Sequence, residues 1–155
     1  MNLQPEMEYV GFWLRVGASL IDTLFLFVIT WPLLIWIYGW AYFGADKGLI
    51  AGPADLLLSW VFPAVACILF WIYKRATPGK MAISAVVVDA TTGDALTTGQ
   101  AIGRYLGYFV STIPLGLGLI WVGVDPRKLG WHDKLANTVV IRPRNRGPQP
   151  VRFER

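Results

Sequence analysis

Two opposite charges, Arg15 and Asp22, open a long apolar run in the stretch GFWLRVGASLIDTLF. They lie about two helical turns apart, roughly 10.5 Å of rise, so on a helix both side chains point to one side. Gly11, Ala18 and Ser19 fall on or near the same stripe. Small residues there let another helix come close. A charge at the bilayer centre costs about 2.5–3.5 kcal/mol on insertion scales, so an ionisable pair in a membrane helix should face protein or water. Arg15, near the end of its helix, can snorkel to the interface. Asp22 is deeper and short, and needs a partner: Arg15, Arg104 or Lys80. Two roles are open to it. One is a structural ion pair that fixes helix packing; the other is a protonatable or cation-binding carboxylate.

His132 is the only histidine, and Asp133 follows it. A histidine beside a carboxylate can titrate near neutral pH; the plainer alternative is a passive hydrogen-bonded pair at the interface. One His and one Cys (Cys67) are too few for a metal site. The lone cysteine forms no intramolecular disulfide and says nothing about compartment. Lys80 follows Thr77-Pro78-Gly79, but Met81 stands where a phosphate loop needs Ser or Thr, and no glycine leads the motif. The expected role is a turn whose lysine meets head groups or an acidic partner. No serine has a base beside it in sequence. A non-enzymatic protein is expected, and no cofactor is implied.

These residues must be positioned by membrane helices. The 155 residues are 55% hydrophobic and 15% charged, with mean hydropathy +0.48; a soluble domain is nearer a quarter charged. Thr23 to Phe43 holds no charge, more than the ~20 residues a span needs, and Pro32 is expected to kink it. The residues before it lack the basic start of a signal peptide, so the run reads as a retained helix. Leu56 to Tyr73 is a second uncharged span with Pro63 in its middle. Tyr105 to Val124 has the length of a third, but Pro114, Gly116 and Gly118 interrupt it. A re-entrant hairpin, with helix to about Ile113, a turn at Pro114–Gly118 and a short helix to Val124, is preferred to a full crossing. Residues 1–11 read as a short cytoplasmic lead-in that could lie along the interface, with both termini on the cytoplasmic side. Met81–Asp89 reads as a strand, with a short return strand over Ala95–Thr98 making a small hairpin. Thr98 is the expected helix cap, and Thr138–Arg142 reads as a strand able to pair with Ile83–Asp89.

The net charge is +4. Lys74 and Arg75 close the second span; Arg127, Lys128, Lys134 and five arginines from Arg142 to Arg155 follow the third. The positive-inside rule puts the middle loop and the tail on the cytoplasmic side. The tail, residues 143–155, is expected to be disordered or held on anionic lipid head groups. Nucleic-acid binding is not expected, because no basic fold with interleaved aromatics accompanies the tail. The fold class is an all-α polytopic membrane protein: two full transmembrane helices, a third broken or re-entrant helical hairpin, and a small cytoplasmic β element.

Arg15 and Asp22, then TPGKMAISAVVVDATTGDALT (Thr77–Thr97), Arg104, and WHDKLANTVVI (Trp131–Ile141) together resemble the RDD family of prokaryotic integral membrane proteins. The likeness covers the chain to about residue 142, the membrane domain, with three separated motifs in order. The resemblance implies that Arg15, Asp22 and Asp133 are the arginine and two aspartates of the family's name, with Lys80, Arg104 and His132 in support. It also implies an inner-membrane location. Most members have no assigned role, and some are described as cation/proton antiporters. A cluster of Arg15, Asp22 and Asp133 sums to −1 and could hold one proton or one monovalent cation; if Arg104 joins, the sum is zero. Two spans rarely enclose a pathway, so transport requires a homo-oligomer. The alternative is an accessory or scaffold subunit of a larger membrane complex, bound through the aromatic half of the first span (Trp31, Trp36, Trp40, Tyr42).

Overall fold

A computed structural model describes residues 6–44 and 48–144. The expected basic tail lies outside them from residue 145. A strand, β1 (Met7–Tyr9), precedes the long helix α1 (Phe12–Tyr38), which is followed by a short 3₁₀ turn at Trp40–Phe43. The second long helix, α2, runs Pro53–Lys74. Next come α3 (Pro78–Ala82), β2 (Val86–Asp89), α4 (Thr98–Thr112), α5 (Leu117–Val124), α6 (Trp131–Leu135) and β3 (Thr138–Pro143). Helices α1 and α2 are long and apolar enough to cross a membrane; α4 and α5 form a pair bent by 98°.

The breaks follow the sequence. Pro63 has no N–H to donate and its ring crowds the preceding turn. The backbone just before it, Leu56–Val61, widens into a π-helix. Such segments mark helices under local strain. Arg75 ends α2 in a left-handed conformation, φ 57°, its N–H bonding the Trp71 carbonyl at 3.1 Å. Pro114, left-handed Leu115 and left-handed Gly116 (φ 54° and 74°) turn the chain between α4 and α5. A Cβ on Gly118 would stand 2.6 Å from the Ser111 Cα, so α5 folds back onto α4 only because that position is glycine.

The β element is larger than a hairpin. β3 is the centre of a three-stranded antiparallel sheet of order β1-β3-β2, pairing Tyr9 with Ile141 and Val87 with Val140. The lead-in expected at residues 1–11 is therefore in part a strand. The return strand expected at Ala95–Thr98 does not form. Asp89 accepts hydrogen bonds from the Thr91 and Thr92 amides and from the Gln100 side chain, which closes the turn. Leu96 is buried, and Thr97 rather than Thr98 caps α4 through a reciprocal pair with Gln100. Met81 and Ala82 are helical, not strand: Pro78 at the first helical position starts α3. Proline suits that position because its N–H would be unpaired there anyway. Val10, Trp71, Val87, Leu96 and Val140 form a core that joins the sheet to the ends of α2 and α4.

α3 lies tightly against α1. A Cβ on Gly79 would run into the Ala18 carbonyl, whereas one on Gly17 meets nothing within 4 Å. Overpacking of this kind costs roughly 1–3 kcal/mol. Gly79→Ala should lower the thermal unfolding midpoint of the detergent-solubilised protein, and Gly17→Ala should leave it unchanged or raised.

Candidate functional site

Asp133 is fully buried in α6 and is held from both sides. Arg15 Nη1 donates to its Oδ2 at 2.6 Å, and Arg104 Nη1 donates to its Oδ1. The Gly130 amide adds a bond to Oδ2 at 2.9 Å. Arg15 also reaches two carbonyls, Val10 (from Nε, 3.0 Å) and Lys128 (from Nη2, 2.6 Å). Arg104 is itself fully buried; it donates to Thr138 Oγ1 at 2.5 Å and lies over the Trp71 and Tyr108 rings. The carboxylate thus joins α1, α4, α6 and the start of β3. Burial pushes the Asp133 carboxyl up, but the charges of Arg104 and Arg15 outweigh it and hold it well below the usual carboxylate range. This group stays ionised at physiological pH.

His132 lies beside the clamp. Its ring stacks on Tyr108, centroids 4.0 Å apart, and Nδ1 faces Ser111 Oγ at 3.3 Å. The Ser111 hydroxyl in turn accepts the His132 amide at 3.1 Å. A Cβ at Gly107 or Gly130 would strike His132, so both glycines make room for it. Burial, then the charge of Arg104, lowers the imidazole pKa from 6.5 to about 3, against the opposing pull of Asp133. The ring is neutral at physiological pH, which fits the passive reading.

Asp22 does not join this clamp. No ion pair links it to Arg15, Arg104 or Lys80 among the described residues. Its partners are neutral: the Thr77 hydroxyl at 2.5 Å and the Gly79 amide at 2.7 Å. The expectation that it needs a cation is corrected. A carboxylate can be satisfied by hydroxyl and amide donors, and the first turn of a helix favours negative charge. The Thr77-Pro78-Gly79 turn is thus the receptor for Asp22. Thr77 gives the hydroxyl, Pro78 sets the turn, and Gly79 gives an amide and the room to approach α1. Asp22 lines a cavity of about 460 Å³ between α1 and α2, with Thr77 and Lys80 on its wall.

Two partners were not foreseen from the sequence, Thr138 for Arg104 and Ser111 for His132, nor was a further buried carboxylate at the other end of the long helices. Asp55 accepts from the Tyr42 and Ser59 hydroxyls at 2.7 Å and from the Ala51 amide at 2.8 Å. Its signal was available, since Ser59 is one helical turn on. No group of His, Cys, Asp and Glu suited to a metal ion occurs among the described residues.

The family model of the RDD family matches residues 9–137 of this chain. The chain belongs to the RDD family. This RDD protein is 28% identical to the uncharacterized membrane protein YteJ of Bacillus subtilis over 134 residues, 86% of this chain and 80% of that one. It is 27% identical to the uncharacterized protein YxaI of the same organism, over 84% of this chain and 95% of the other. The uncharacterized protein RP437 of Rickettsia prowazekii is 39% identical over 75 residues, 48% of this chain and 41% of its own length. No solved structure matches. Family, relatives and apolar helices together make this RDD chain a multi-pass membrane protein.

Removing one partner of a buried ion pair costs roughly 3–5 kcal/mol. Asp133→Asn should therefore leave the two arginines uncompensated and lower the unfolding midpoint sharply in a thermal scan. pH acts in the same direction. The Asp133 pKa is depressed on folding, so its contribution is present above the ordinary carboxylate pKa and lost as pH falls. His132 is kept neutral, so the unfolded chain takes up a proton below about pH 6.5 that the folded chain refuses down to about 3. Stability should fall from pH 6.5 towards 4, and His132→Gln should flatten that slope in midpoints measured against pH.

Proposed function

We propose that this RDD protein is a non-enzymatic, oligomeric monovalent cation/proton transporter of the prokaryotic inner membrane, with Asp22 as the exchanging carboxylate. The observation that carries the reading is the contrast between two aspartates. Asp133 is fixed between Arg15 and Arg104, a triad whose charges sum to +1 without Asp22. That leaves Asp133 as frame. Asp22 is held by neutral donors only and lines a cavity, where a proton or a cation can take the place of its missing counter-charge.

The sheet supports a topology for it. β1 lies before both spans, β2 after them, and β3 after the bent pair, yet all three share one sheet. Strands that pair lie on one side of a membrane, so the chain between them crosses an even number of times. Two full spans with α4 and α5 as a re-entrant pair meet that condition; three full crossings do not. The basic residues at Lys74, Arg75, Arg127 and Lys128 favour the cytoplasm as that side.

A second reading, an accessory subunit of a larger membrane complex, has its own support. The most apolar stretches of α1 and α2 are only 11% and 6% buried within the chain. Trp36 and Trp40 are 84% and 78% exposed. Either way the helices need company, from lipid, further copies or a partner.

The test is flux from liposomes loaded with a pH dye and pulsed with Na⁺, K⁺ or Li⁺. Wild type should move protons in response to one of these ions. Asp22→Asn, folded by circular dichroism, should lose at least 90% of that movement. Silence from folded wild-type protein would discard transport as a self-sufficient activity and favour the accessory reading.

A further inference from the structure

A second cavity, of about 470 Å³, opens between α1, α4 and α5 and adjoins the first, sharing Ser19, Thr23, Lys80 and Tyr108 with it. Its charge is one-sided. Arg15 and Lys80 line it together with neutral His132, and no carboxylate does. Arg15 is already paired with Asp133. Lys80 is not paired: it is only 7% exposed, and no hydrogen bond or ion pair of its ammonium occurs among the described residues. A buried charge without a partner is costly. It is tolerated where something outside the chain supplies the counter-charge. Ser19, Thr23 and Tyr108 also line it, and most of the remaining wall is apolar, Leu20, Leu119 and Ile120 among it. The surroundings that α1 and α5 present to the bilayer are apolar as well, since Leu20 and Ile120 are 65% and 52% exposed.

We propose that this cavity binds an anionic phospholipid of the surrounding bilayer, its phosphate on Lys80 and part of one acyl chain along Leu20, Leu119 and Ile120. Three features select this occupant. A phosphate oxygen supplies the charge that Lys80 lacks, and a lysine is a suitable point charge for it. The apolar wall suits an acyl chain and not a free anion. The lysine lies in the turn after α2, where basic pockets between membrane helices meet head groups. Asp22 is absent from this wall, although Lys80 lines the first cavity with it.

The experiment is lipid retention by the full chain, reconstituted in nanodiscs of phosphatidylglycerol, of phosphatidylcholine, or of both, then released and examined by native mass spectrometry. Wild type should keep phosphatidylglycerol at least tenfold over phosphatidylcholine. Lys80→Gln should lose that preference and Lys80→Arg should keep most of it. Ile120→Trp, which fills the apolar part and leaves every charge in place, should weaken retention at least fivefold; it decides the matter if Lys80→Gln does not fold. Asp22→Asn should retain lipid as wild type does, whatever happens to flux. Equal retention of the two lipids would overturn the proposal. So would unchanged retention by both Lys80→Gln and Ile120→Trp. Displacement of the lipid by millimolar inorganic phosphate would also overturn it, in favour of a free-anion site.

Discussion

One carboxylate carries the cytoskeleton of charges inside this protein. Asp133 is wholly buried, and it is tolerable there because Arg15 arrives from α1 and Arg104 from α4. The dependence is mutual. Arg104 is fully buried and has Asp133 as its ion-pair partner; Arg15 is nearly so. The surroundings are built to match. Thr138 accepts a second bond from the Arg104 Nη1 that meets Asp133, Gly107 and Gly130 clear space for His132, and the Trp71 and Tyr108 rings lie beside the guanidinium. The helices α4 and α6 meet along this line, so the packing of the bent pair and the seating of the sheet follow from one ion triad. In a membrane, where no apolar driving force pushes helices together, such polar contacts take over the specifying role.

The second carboxylate in α1 is held on a different principle. Asp22 meets a hydroxyl and a backbone amide of the turn that follows α2, which ties α1 to α3 without matching charge. The two aspartates therefore divide the labour. One is locked between two arginines, the other between a hydroxyl and a backbone amide. Lys80 stands on the wall of both cavities, next to the Gly79 that holds Asp22.

Much of this was legible in the residues. The uncharged runs gave both long helices, and Pro114 with Gly116 and Gly118 marked the bend to within a residue or two. Arg15, His132 and Asp133 stood out because charge is scarce in apolar sequence. What stayed hidden was long-range or neutral. The strand Met7–Tyr9 is too short to read alone; it exists because β3, far along the chain, pairs with it. The partners of Asp22 escaped notice because a search for opposite charges passes over Thr77 and a glycine amide. The Thr97 cap was misplaced by one residue, since adjacent threonines offer equal side chains and only the Gln100 reciprocity distinguishes them.

The pairing of β1 with β3 has a consequence in time. Chains are synthesised at about 5–20 residues per second. The first strand is thus made many seconds before the one it needs, and both long helices come between. Arg15 meets the same delay, entering the bilayer well before Asp133 exists. A nascent chain that ends between α2 and Trp131 carries β1 without its partner strand and Arg15 without Asp133. Only the last stretch of the described chain, Trp131 to Pro143, supplies what both were waiting for. A chain halted before Trp131 lacks both Asp133 and β3.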